Sequence, residues 1–122
     1  MAIKDIIPPG KQLKITGIIR IESEEGRFLG PGRIELLEQI MATGSISQAA
    51  KKMNMSYKKA WDMIQSMNSL TTKPIVITQT GGEKGGGTQV SSEGKELIVA
   101  FRKLQSDFQQ SCESQLALFL NA

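Results

Sequence analysis

The segment "SISQAAKKMNMSYKKAWDMIQSMNSL", residues 45 to 70, constrains this chain more than any other. It carries two helical patterns with almost nothing between them. Ser45, with Gln48 three positions later, fits a capping box that opens a helix. That helix is expected over roughly 46–53, with Ala49, Ala50 and Met53 on its inner face. Asn54 follows, and asparagine tolerates the left-handed conformation that ends a helix in a sharp turn. Ser56 suits the cap of a second helix, expected over about 57–69, with Ala60, Trp61, Ile64 and Met67 facing inward. The small residues Ala49, Ala50 and Ala60 leave room for two steeply crossing backbones. A short helix, a tight turn and a second helix make the helix-turn-helix pattern. On spacing alone, an ordinary helical hairpin fits too.

The flanking segments narrow the choice. "KQLKITGIIRIES" alternates Leu13, Ile15, Gly17, Ile19 and Ile21 on one phase, a half-buried strand. With the turn in "SEEGRFLG" it predicts an N-terminal hairpin over 12–30. "GPGRIELLEQIMATG" predicts a helix over 32–43, with Ile34, Leu37, Ile40 and Met41 facing inward, Pro31 at its start and Gly44 closing it. After residue 70, "PIVITQT" and "TQV" read as two strands of a hairpin over 75–90. "SSEGKELIVAFRKLQSDFQQSCESQLALFL" then reads as one long helix over 92–120, with Glu93 and Glu96 where the helix dipole favours acids. Its apolar stripe runs Leu97, Phe101, Leu104, Phe108, Cys112 and Leu116. Such a stripe exceeds what one small domain covers, so a second copy of the chain is expected to pair along it. Cover from the N-terminal hairpin and first helix is the alternative. The whole, 1–122, reads as one α+β domain, mainly α. A hairpin directly after a helix-turn-helix is the wing of a winged-helix DNA-binding fold.

Composition removes other classes. There is no histidine and one cysteine, Cys112. A Cys/His metal site, a histidine-dependent triad and an internal disulfide are thereby excluded. The N-terminus lacks a signal-peptide pattern and no apolar run approaches membrane-spanning length. A cytoplasmic protein is expected, with no membrane association, no cofactor and no enzymatic activity. The formal charge of +3 is compatible with nucleic acid.

The segment "VITQTGGEKGGGTQV" holds five of the twelve glycines. A nucleotide-binding P-loop needs lysine directly after the last glycine and a helix next. Here Lys84 precedes Gly85, Gly86 and Gly87, and a strand pattern follows. As a wing tip the glycines bring backbone N–H groups close to phosphates, with Lys84 adding charge. A solvated turn without a partner is the bland alternative. On the second helix of the motif, Tyr57, Lys58, Lys59, Asp62, Gln65 and Ser66 are left facing out. Lysine donates to phosphate or guanine, glutamine pairs with adenine, and tyrosine and serine reach phosphate. Residues 45–70 carry four lysines (51, 52, 58, 59) against the single acid Asp62, four minus one giving a local +3. Asp62 either accepts from a cytosine amine or orients Lys58 or Lys59.

"TGSISQAAKKMNMSYKKAWDMIQSMN" followed by "TGGEKGGGTQVSSEGKELI" resembles the N-terminal DNA-binding domain of the ModE family of molybdate-responsive transcriptional regulators. The shared features are the GSIS–AA and SYK–AW stretches and the glycine-rich wing, over about residues 12 to 120. The resemblance implies a winged helix that dimerises through its long terminal helix and binds a pseudo-palindromic operator in double-stranded DNA. Carried over by position, the DNA-binding residues are Ser45, Ser47, Ser56, Tyr57, Lys58 and Lys59. With them go the wing residues Thr80, Gly81, Gly82, Lys84, Gly85, Gly86, Gly87 and Thr88. Two departures stand out. The family often has glycine where this chain has Asn54. Full-length regulators continue into oxyanion-binding domains, whereas this sequence ends at Ala122. The expectation is a form lacking the molybdate-binding domains, with no oxyanion effector on this chain. A protein-interaction module of the same fold, without DNA binding, is the competing reading.

Overall fold

A computed structural model describes residues 1–79 and 87–122. After a 3-10 turn at Ile3–Ile6, the elements are β1 (Ile21–Ser23), β2 (Gly26–Leu29), α1 (Pro31–Thr43), α2 (Ile46–Lys52), α3 (Tyr57–Asn68), β3 (Val76–Thr78), β4 (Thr88–Val90) and α4 (Ser92–Leu120). The strands form two separate antiparallel pairs, β1–β2 and β3–β4. The fold is α+β and mainly helical: a winged helix-turn-helix with a hairpin before it and a long helix after it.

Helix α1 is the hub. It starts on Pro31 and ends at Gly44, whose φ of 68° is left-handed and whose N–H donates to the Ile40 carbonyl at 2.8 Å. It packs against α2, β4 and α4. Because neighbours cover it on several sides, its buried set is Ile34, Leu36, Leu37 and Ile40. Met41, expected inward, stands at the rim, and Leu36 takes a core place that the single-face pattern missed.

The α2–α3 turn follows from local chemistry. The Ser45 hydroxyl accepts the Gln48 N–H at 3.1 Å, and the Ser56 hydroxyl accepts the Lys59 N–H at 3.0 Å. Ala49, Ala50 and Ala60 are buried, which brings the two backbones together. Asn54 sits at φ 54°, and the Met55 N–H returns to the Ala50 carbonyl at 3.0 Å. Asn54→Gly is therefore expected to leave stability nearly unchanged. Asn54→Val, forced into the left-handed region, should cost about 1–2 kcal/mol. Denaturant melts of the two variants check this pair. On α3, Ala60, Ile64 and Met67 enter the core. Trp61, expected with them, is only half-buried, because it lies on the flank of α3 beside the Ala60–Ile64–Met67 face, where it stacks on the exposed Tyr57.

Two other expectations change. The N-terminal hairpin spans 21–29 rather than 12–30. β2 is four residues long and pairs only with Ile21–Ser23, so residues 11–20 have no strand to lie beside. They run back along α4 instead. The Ile3 N–H donates to the Ala122 carbonyl at 3.0 Å, and the Phe108 ring lies over Gly17. The stripe on α4 is correspondingly divided. Phe101 lies in the chain's own core with Leu97 half-buried beside it, and Cys112 is buried. Leu116 is half-buried, while Leu104 and Phe108 are 40% and 41% exposed. Phe101 and Cys112 are thus used within the chain.

At its start, α4 meets the wing closely. The Ser91 hydroxyl accepts the Gly94 N–H and donates to the Pro74 carbonyl at 2.7 Å. Gly94 itself is pressed against the Ile75 carbonyl and the Val90 side chain.

Candidate nucleic-acid interface

Helix α3 turns by about 100° per residue, which sorts its outer residues. Lys58, Asp62 and Gln65 form a crest opposite the buried Ala60, Ile64 and Met67. Tyr57 and Trp61 occupy one flank, Lys59 and Met63 the other. Tyr57, Lys58, Lys59, Asp62 and Gln65 are all exposed; Ser66 is half-buried. Lys58 donates from Nζ to Asp62 Oδ2 at 2.9 Å. That hydrogen bond and the Asp62 charge hold Lys58 above the usual lysine range. Of the roles open to Asp62, the structure shows it orienting Lys58 rather than Lys59.

The flank bearing Tyr57 faces the base of the wing across a concavity of about 280 Å³. Ser45, Ser47, Tyr57, Thr78, Gly87 and Thr88 share its lining. Two hydrogen bonds fix this geometry. The Thr88 N–H donates to the Gly44 carbonyl at 3.1 Å, tying β4 to the turn before α2. The Gln79 N–H donates to the Gly87 carbonyl at 2.8 Å, closing the wing's base. Trp61 braces Tyr57, with ring centroids 6.4 Å apart and planes inclined by 15°. Ser56 stands at the N-terminal tip of α3, beside Lys58, Lys59 and Asp62. Of the expected wing residues, Thr80, Gly81, Gly82, Lys84, Gly85 and Gly86 lie outside the described residues.

The flank bearing Lys59 faces a second concavity, which residue-by-residue reading missed. Arg20, Arg27 and Arg33 line it with Lys59, Met55 and Met63. No local signal in the sequence points to it, since the three arginines sit before β1, on β2 and on α1. The start of α1, β2 and the segment before β1 bring the arginines together, and β2 packing against α3 sets them beside Lys59.

Among the described residues, no cluster of His, Cys, Asp or Glu has the makings of a metal site. No helix there is long and apolar enough to cross a membrane.

Residues 32–95 match the model of the bacterial regulatory helix-turn-helix proteins of the lysR family, a span running from the first turn of α1 into α4. The chain is also similar to several curated proteins. It is 40% identical over 93 residues to the molybdenum transport protein ModE of Azotobacter vinelandii, covering 76% of this chain and 34% of that protein. It is 39% identical over 97 residues to the transcriptional regulator ModE of Yersinia pestis, covering 80% and 37%. It is 42% identical over 84 residues to the DNA-binding transcriptional dual regulator ModE of Escherichia coli, covering 69% and 32%. The aligned region thus spans about a third of each of these relatives.

Proposed function

The chain belongs to the lysR-type bacterial regulatory helix-turn-helix family and carries a helix-turn-helix domain of the ModE kind, and from that premise we propose that it binds a near-palindromic duplex site as a dimer, each protomer laying α3 into a major groove. The observation that carries the proposal is the setting of α3. Its lysine-bearing tip is capped by Ser56, exposed along one crest, and flanked by the wing's base. Lys58, Lys59 and Gln65 then address base edges and nearby phosphates. Ser45, Ser47, Ser56, Tyr57 and the wing address the backbone. Asp62 positions Lys58 until a duplex competes for it. The test is retention of duplex fragments on the purified protein. Retention that falls steeply with salt is expected, and its absence favours the protein-interaction reading.

Two features support pairing. Beyond Phe101, α4 leaves Leu104, Phe108, Leu118 and Phe119 between 40% and 65% exposed. Beside it, residues 11–20 form no strand pairing, with Leu13 and Ile15 exposed. A second copy offers both an apolar face and a backbone edge. Phe108→Glu, which sets a charge in that face, is expected to shift the protein from dimer to monomer at about micromolar concentration. Sedimentation velocity reads the shift, and an unchanged dimer would relocate the interface.

A further inference from the structure

We propose that Arg20, Arg27 and Arg33, with Lys59, form a second clamp on the DNA backbone, gripping the strand across the major groove from the one the wing touches. The proposal rests on the placement of α3 in the groove described above. A major groove is about 12 Å wide and an α-helix with its side chains about as thick, so a seated helix has a phosphate wall on each flank. The Tyr57 flank of α3 faces the wing. The Lys59 flank faces the arginines, so whatever lines that side meets the opposite wall.

The arginines are gathered by the backbone, not by acids. Arg33 donates from Nη1 to the carbonyl oxygens of Arg27 and, at 3.1 Å, of Phe28, which pins the start of α1 to β2. The stems of Arg20 and Arg27 both run over Gly30, whose added Cβ would meet Arg20 Cγ at 3.6 Å and Arg27 Cδ at 3.9 Å. Two cationic side chains therefore share one small platform, with Arg33 lining the same concavity. Burial, and then the neighbouring Arg27 charge, push Arg33 below its ordinary value. Glu22 is the cross-strand partner of Arg27, yet no carboxylate lies within 4 Å of Arg20, Arg27, Arg33 or Lys59 among the described residues. Like charges held together without a counter-charge repel one another and are relieved by an incoming anion. A phosphodiester backbone beside α3 supplies a row of them, and arginine forks match phosphate oxygens.

Arg20→Ala/Arg27→Ala is the test, with Arg33 left in place because it braces two carbonyls. The duplex is one that the wild-type chain retains. The slope of log affinity against log salt is expected to become shallower by about two, with affinity lost equally on specific and unrelated duplexes. Discrimination between sequences should stay unchanged, because phosphate contacts carry none. Hydroxyl-radical protection should disappear from the strand facing β2 and persist on the strand facing the wing. Arg20→Lys/Arg27→Lys should retain most of the slope. If the double variant fails to fold, each single alanine variant should lose about one unit of slope. A wild-type slope in folded alanine variants overturns the clamp. If Lys58→Ala/Lys59→Ala still flattens the slope in that case, the placement of α3 stands without it. A wild-type chain that binds no duplex removes both.

Discussion

Lys58→Ala/Lys59→Ala is expected to weaken duplex binding about a hundredfold at moderate salt, each lysine contributing about 1–3 kcal/mol through a base edge or a phosphate. The slope of log affinity against log salt should flatten by up to about two units. Both side chains are exposed and neither supports the core, so melting should barely change. The Ser56 cap survives, because it takes the backbone N–H of residue 59 and not its side chain. Lys58 also gives up its ion pair with Asp62, but that pair is exposed and contributes little to stability. Loss of affinity without loss of fold separates a contact surface from a structural one. An unchanged slope in a variant that binds would move the duplex away from this face.

Gly94→Val should destabilise the fold by about 3 kcal/mol, because overpacking a close backbone contact has no cheap relaxation. An added Cβ at Gly94 would lie 2.5 Å from the Ile75 carbonyl oxygen and 2.6 Å from Val90 Cγ1. The carbonyl cannot retreat easily, since it already accepts the Ser91 N–H at 2.9 Å. Helix propensity pulls the other way but is smaller: leaving glycine in a helix gains about 0.5–1 kcal/mol at best, and less for a β-branched residue. Sterics therefore win. The melting midpoint should fall on the order of 10 °C. Gly32→Ala is the matched control, since nothing lies within 4 Å of its added Cβ. There propensity acts alone, and a small gain is expected. Equal behaviour of the two glycines would show that α4 does not approach Ile75 this closely.

The helix-turn-helix was legible because its determinants are local. Ser45 and Ser56 cap their own first turns, and Asn54 takes the left-handed turn that its side chain tolerates. Where three-dimensional neighbours decide, one-dimensional patterns ran out. The alternation of Leu13, Ile15 and Ile19 describes the faces of an extended chain, but says nothing of whether a partner strand exists beside it. Met41 and Leu36 exchanged roles because periodicity assumes one covered face, and α1 has several neighbours. The stripe on α4 was visible, yet its division was not. The packing of α1 against α4 determines that Phe101 is spent inside the chain. Arg20, Arg27 and Arg33 were invisible as a group, being scattered over three segments with no shared spacing.

The bond from Ile3 to Ala122 has a practical corollary. It brings residues 3 and 122 to one pole of α4, about 44 Å along the rod from Ser92, where the wing's return strand hands over to the helix. A dye attached beside either residue rides on that pole. Reporters beside both would sit together and register a fraying of the last turn before any disturbance reached the wing.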